Sequence, residues 1–439
     1  TPGDITRTDD TTITIAARGD DLYQIGPNES ITVSVPHEVL QYKTTGVLDA
    51  GTITVIAENG TGSNPYSIYA FNDLNNIRDN LSAHYILRSD IDLGALNEWT
   101  PIGTKNDSFT GSLRGSSDSV QYTIRNVQRP LFGYLRGELT DIRLEDVNIR
   151  EELSTYVGAL VSRNAGNINH CSILNGSVVG NTNTASFYKT YLGGLVGSNI
   201  GNIRYCSVEN IEVEVGPDVI SSYSCVGGLV GYNKTAYNGG SGGYINNCNT
   251  KDVTVKSKAS GNNFVGGLIG DNTYLVINSY AIRPVLTGGG ANTYKGGLAG
   301  FYLGIDYGQG TPVINNSFVV DPSIQGPSRD AGSFLGNSNM TVHASYVIGD
   351  GDLSVSGNNR NSGIGEIKAS DPHTAESAVQ DGTTIAVKLE KWYGDTPQNI
   401  TWESSIGDGI KQQILDGMSG SDSFNMQVKP NLTVENLTF

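Results

Sequence analysis

Two acidic pairs, Asp90 and Asp92 in SDIDLG and Asp350 and Asp352 in GDGD, together with Asp306, are the residues of this 439-residue chain whose type best suits catalysis. Paired carboxylates can cleave glycosidic bonds as acid and base or nucleophile, and a carboxylate with calcium and a basic residue can support β-elimination. The setting argues against both. Asp90 and Asp92 sit in an alternating strand, and GDGD reads as a turn. The histidines His37, His84, His170, His343 and His373 are scattered, with His170 and His343 expected as outward-facing or satisfied strand residues. No GxSxG, HExxH or complete calcium loop occurs. The expectation is therefore no catalytic residue, no metal ligand and no cofactor: a protein that is not an enzyme.

The cysteines lead from chemistry to architecture. Cys171, Cys206 and Cys248 lie 35 and 42 residues apart, far from the close spacing of a metal clamp. They recur inside a repeated segment. YVGALVS (from 156), YLGGLVG (191), CVGGLVG (225), FVGGLIG (264), YKGGLAG (294) and AGSFLGN (331) open six units. INHCSI (168), IRYCSV (203), INNCNT (245), INSYAI (277), INNSFV (314) and VHASYV (342) follow them. In this alignment the cysteine slot continues as Tyr280, Ser317 and Ser345, and Cys225 stands where other units carry Tyr156, Tyr191, Phe264 and Tyr294. Such exchanges predict cysteines that pack in an interior ladder. The glycine strings lack the GKS or GKT ending of a phosphate loop. Asn164, Asn199, Asn233 and Asn272 recur four places after the core leucine and predict a stacked asparagine ladder at a turn.

The elements that must position these residues are short and β-prone. Gly158, Gly193, Gly227, Gly266, Gly296 and Gly332 are separated by 35, 34, 39, 30 and 36 residues, a period typical of solenoids. Each motif is too short to bury a face alone and is stable only when stacked on the next copy, in parallel ladders about 4.8 Å apart. Paired glycines mark sharp turns or close backbone approach. The expected fold is all-β: a right-handed parallel β-helix with one coil per repeat. Alternating segments TTITIAA (11–17), SITVSV (30–35), TITVIA (52–57) and TIAVKL (384–389) add strands outside the array, and short helices are expected at 70–81 and 410–418.

Composition narrows the partners. The formal charge is −16 with only 16% charged residues and 56 glycines, and no basic patch is visible, so nucleic acid and anionic membrane are not expected. No apolar run is long enough to span a bilayer. Membrane insertion is not expected, although a signal or lipid anchor removed from the chain would leave no trace.

The order GTGSNPYSI (60–68), a short helix, DIDL (90–93), WTPIG (99–103), FTGSLRG (109–115), LFGYLRG (131–137) and then GGLVG repeats resembles the GLUG-motif repeat proteins. These are bacterial surface or secreted proteins, common in Bacteroidetes and often described as adhesin-like or fimbria-associated. The resemblance covers roughly residues 59–350. It implies an extracellular or outer-surface β-helix and no shared catalytic residue. The expected division is a small β-rich region at 1–58, the opening coils of the β-helix at 59–150, GLUG-type repeats at 151–365, and a β-rich C-terminal cap at 366–439.

Within the array, the third and fifth units carry extra loops at 232–244 and 301–312, which on a solenoid project from one corner. Tyr232, Tyr237, Tyr244, Tyr274, Tyr302, Asp306 and Tyr307 gather there as candidate ligand-binding residues, suited to sugar rings or a protein surface. The function so expected is non-catalytic adhesion to a glycan or to a host or pilus protein. A β-helix lyase or glycoside hydrolase, and a purely structural stalk, are the alternatives.

Overall fold

The structure is a computed structural model. It describes residues 60–348 except 64, 95–98, 118, 153–154, 181–188, 218–222, 235–241, 289–291, 303–311, 316, 338–339 and 344. Outside that span it describes the backbone of strands at 2–7, 13–17, 30–35, 51–56, 364–367, 386–390, 397–401, 403–404 and 429–430.

Each of the first five repeats supplies strands to four parallel sheets, and the sixth to three of them. Taking the second unit, Thr190–Gly193 enters sheet B, Val196–Asn199 sheet C, Asn202–Arg204 sheet D and Ser207–Val215 sheet A. Sheets B and C have six strands each, and sheet A is the largest with 13. Within the repeats, every ladder neighbour comes from an adjacent repeat. The six spaced glycines, Gly158 through Gly332, fall in register in sheet B, as the sequence period requires. The chain is thus mostly β with long parallel sheets.

Inward positions are mostly apolar. Val157, Leu192, Val226 and Val265 form one buried column, and Leu139, Ile168, Ile203, Ile245, Val276 and Ile314 another. Alternation in a half-buried strand produces these columns, because side chains two apart share a face. Lys295 breaks the first column. It is fully buried, and its Nζ donates to the carbonyls of Gly288 (3.3 Å), Gln325 (2.5 Å), Gly326 (3.1 Å) and Pro327 (3.1 Å). Burial lowers the ammonium's pKa from its ordinary value.

The paired glycines permit close backbone approach. A Cβ on Gly197 would lie 2.6 Å from the Val157 amide nitrogen, and one on Gly158 2.6 Å from the Gly197 nitrogen. Strands of sheets B and C from successive repeats therefore lie backbone against backbone, where no side chain fits.

Two details of the sequence reading change. The cysteine slot continues through Ser279 rather than Tyr280, because Asn249 pairs with Tyr280 and the residues before them align. Cys206, Cys248, Ser279 and Ser317 each have a backbone N–H directed at the next Sγ or Oγ in the column, at 3.2 to 3.4 Å. The column is thus a hydrogen-bonded one as well as a packed one, and serine replaces cysteine without loss of an acceptor. The register is fixed by the preceding residue: His170, Tyr205, Asn247 and Asn278 all adopt left-handed backbone, with φ of 51° to 53°. Between Ala70 and Asn80, the expected helix is α-helical only over Phe71–Asn75 and continues as a 3-10 turn over Asn76–Asp79. Asp73 accepts from the Tyr69 and Ala70 amides at 2.9 and 3.0 Å and so closes its N-terminus.

By backbone contacts the chain forms two units, residues 1–67 with 83–85 and residues 68–82 with 86–439. In the first, Pro2–Arg7 pairs antiparallel with Ile13–Ala17, and Ser30–Val35 with Gly51–Ile56, in agreement with the alternating segments. In the second, Ala386–Glu390 pairs antiparallel with Pro397–Thr401. The helix expected at 410–418 lies outside the described residues.

Candidate functional site

Among the described residues, the richest concentration of functional side chains lies along sheets B and C. Sheet B carries Tyr156, Tyr191, Cys225, Phe264 and Tyr294 in register. Sheet C carries Tyr134, Arg163, Ser198, Tyr232, Asp271 and Phe301. The rows meet through their rings: Tyr191 stacks on Tyr232 at 5.0 Å and Phe264 on Phe301 at 4.3 Å, while Tyr156 stacks on Tyr191 at 5.2 Å. Offset and tilted ring pairs of this kind stabilise beyond their buried area. The Cys225 thiol, wholly buried here, has its pKa pushed well up by desolvation and then by the nearby Asp271 carboxylate. Burial likewise raises the Tyr191 and Tyr223 phenols. These groups stay protonated at neutral pH and pack rather than react.

At one end the rows close differently. The Arg163 guanidinium lies 5.2 Å from the Tyr134 ring and 4.5 Å from the Tyr156 ring, and Arg136 lies 5.6 Å from Tyr134. Sheet C begins at Phe132–Leu135, one strand earlier than sheet B, which begins at Tyr156–Gly158.

The asparagine ladder forms as expected. Asn164 Nδ2 donates to Asn199 Oδ1 (2.7 Å), Asn199 to Asn233 (2.9 Å) and Asn233 to Asn272 (2.8 Å), all buried. Asn272 ends the chain of amides by donating to the Tyr274 carbonyl at 3.0 Å.

Of the candidate tyrosines, Tyr232 belongs to the aromatic rows and is partly buried. Tyr244 lies in sheet D, opposite Asn202 in register, with the Arg204 guanidinium 5.4 Å from its ring. Tyr274 follows the end of the ladder, and Tyr302 follows the last strand of sheet C; both are half-buried. Tyr237, Asp306 and Tyr307 lie outside the described residues.

The acidic pair has structural partners. Asp90 accepts from the Thr123 amide (2.8 Å), and Asp92 from the Gly94 amide (2.7 Å) and Asn126 Nδ2 (2.8 Å). Those bonds hold the Asp92 carboxyl below its ordinary pKa, the Asn126 side chain contributing most. Asp350 and Asp352 lie outside the described residues. His170 is a turn residue rather than a strand residue: it stacks on Tyr205 at 4.7 Å and its Nδ1 is 3.9 Å from Asp141. The sequence reading missed the left-handed column and the Arg163 stack. The first was signalled by the residue before each cysteine slot, the second only by an arginine one strand above a tyrosine.

Comparison with known proteins adds a different direction. Residues 14–180 match the family described as the M26 IgA1-specific metallo-endopeptidase N-terminal region, and residues 189–214 match the GLUG motif. No curated protein matches at a significant level. A proposed immunoglobulin A1 protease from Bacteroides ovatus is 18% identical, with 70% of this chain and 85% of that chain covered and a TM-score of 0.42. An IgA1 protease is 16% identical, with 88% of this chain covered and a TM-score of 0.48; this chain spans only 26% of that one.

The family match corrects two expectations. The adhesin-like binding function, with its lyase, hydrolase and stalk alternatives, is overturned by a match to the N-terminal region of a protease family, and the expectation of a protein that is not an enzyme falls with it. Catalytic motifs could not signal this, because the match is to an N-terminal region of that family. Among the described residues no group of three or more His, Cys, Asp or Glu side chains is placed to hold a metal, so no described residue is assigned to a metal centre.

Proposed function

We propose that this chain acts in proteolysis, as the repeat-bearing region of a secreted or surface-exposed endopeptidase of the IgA1-protease kind, and that its stacked sheets hold a polypeptide substrate. The observation that carries the reading is the match of residues 14–180 to the M26 N-terminal region. The GLUG match that follows directly at 189–214 supports an extracellular setting. In this reading the four sheets wind as a right-handed parallel β-helix, the hand that parallel crossovers take almost without exception. A stack tied by backbone ladders and an asparagine column is stiff, and stiffness lowers the ordering cost of gripping an extended partner.

The test is to incubate the purified chain with immunoglobulin A1 and, separately, with serum albumin. Binding is followed at a sensor surface and fragments on a gel, with and without chelator. Retention of the immunoglobulin alone, or its chelator-sensitive cleavage, is the expected result. Absence of both binding and cleavage would sink the proposal.

A further inference from the structure

We propose that Arg136 and Arg163, mounted on Tyr134 and Tyr156, form a binding site for the side-chain carboxylates of an acidic polypeptide. Among the described arginines, Arg125, Arg129, Arg143 and Arg283 each pair with a carboxylate. Arg136 and Arg163, like Arg204 and Arg329, contact tyrosine rings and have no carboxylate partner among the described residues; what sets Arg136 and Arg163 apart is that both lie over the same ring, Tyr134. Arg136 is exposed and Arg163 partly so.

Stacking uses the flat face of a guanidinium and leaves its edge, with up to five N–H donors in a rigid fork, directed elsewhere. That edge matches a carboxylate in bidentate geometry. Tyrosine also holds the group in place before a ligand arrives, which lowers the entropy lost on binding. Two such forks flank one ring, Tyr134, where sheet C extends a strand beyond sheet B and the aromatic rows end in cations.

The occupant is a polypeptide rather than a sugar acid because the ring faces are already covered. Arg163 lies between Tyr134 and Tyr156, Tyr156 stacks on Tyr191, and Tyr134 is only 8% exposed. No open aromatic platform is left for a pyranose ring, whereas a flexible acidic side chain needs only the guanidinium edges. The chain's own charge of −16 opposes an acidic partner at long range, but at physiological ionic strength this repulsion is screened beyond roughly 8 Å. The site stands on its own chemistry, whichever substrate the repeat region handles.

Fluorescein-labelled hexaglutamate tests it, with hexaglutamine and an oligogalacturonate as comparisons, by anisotropy at physiological ionic strength. Saturable binding of hexaglutamate alone is expected, weakened about tenfold by Arg163→Gln, a loss of about 1.4 kcal/mol, and comparably by Arg136→Gln. The exposed Arg136 variant keeps the test decisive if Arg163→Gln fails to fold. Absence of saturable binding, affinity unchanged in Arg136→Gln, or preference for the oligogalacturonate would each overturn the proposal. Immunoglobulin binding, measured separately, can fail or succeed without deciding this outcome.

Discussion

Asn233 receives a hydrogen bond from Asn199 and gives one to Asn272, with none of the three amides reached by solvent. Replacing it by alanine leaves a buried donor on one side and a buried acceptor on the other, each costing about 1–3 kcal/mol when unsatisfied. Asn233→Ala should therefore lower unfolding stability by about 2–4 kcal/mol in urea titrations. Asn202 makes the same kind of bond to Asn167 at 2.8 Å, but on the exposed face of sheet D. Asn202→Ala should cost less than about 1 kcal/mol, since water replaces the lost partner. Equal losses in the two variants would mean that burial does not set the ladder's contribution. The buried column follows the repeat period, so its existence was legible in the sequence; the Asn167–Asn202 pair stops at Tyr244 in the next repeat and was not.

Sheets B and C touch through backbone, and that contact is an element-level property. A methyl group on Gly197 would meet the Val157 nitrogen at 2.6 Å and the Ser162 carbonyl at 2.7 Å. Neither atom belongs to a side chain that can move aside. Gly197→Ala should destabilise by about 3 kcal/mol, at the upper end of overpacking. At Gly62, whose nearest potential contact is 4.0 Å away, alanine should be nearly neutral, both variants being compared with the parent chain by scanning calorimetry. Sheet A presents a second element-level feature: Lys251, Lys256 and Lys258 reach Glu209, Glu212 and Glu214 on the neighbouring strand at 2.7, 2.6 and 2.6 Å. The Lys256 hydrogen bond depresses the Glu212 carboxyl below its ordinary value. A depressed folded pKa gives stability that is present above the unfolded value, near 4.3, and is lost as pH falls through the folded one. Stability should accordingly drop below about pH 4, and Lys256→Ala should flatten that part of the profile. An unchanged slope in the variant would remove this pair from the account.

On the scale of the whole repeat region, every ladder joins strands one repeat apart, so disturbance should spread chiefly to neighbours. In Gly197→Ala, hydrogen exchange should accelerate most in strands 156–164 and 190–199, and least in 313–320, several repeats away. Uniform acceleration along the region would instead indicate one all-or-none unit. A site at one end, such as the Arg136 and Arg163 pair, can be altered without loosening distant repeats.

From the sequence alone came the β class, the six units, the glycine register from Gly158 to Gly332, the burial of the cysteines and the asparagine column, because each is a periodic property and period survives in one dimension. The slot that links Cys248 to Ser279 rather than Tyr280 was decided by backbone handedness at Asn247 and Asn278, which two adjacent asparagine-containing motifs do not specify. Tertiary structure also decided that Tyr232 stacks in the aromatic rows, that Lys295 is caged by carbonyls, and that Arg163 is held between two rings. Those contacts join residues from different repeats or different sheets, and the pairing of faces across a turn depends on how strands stack in space rather than on their order along the chain.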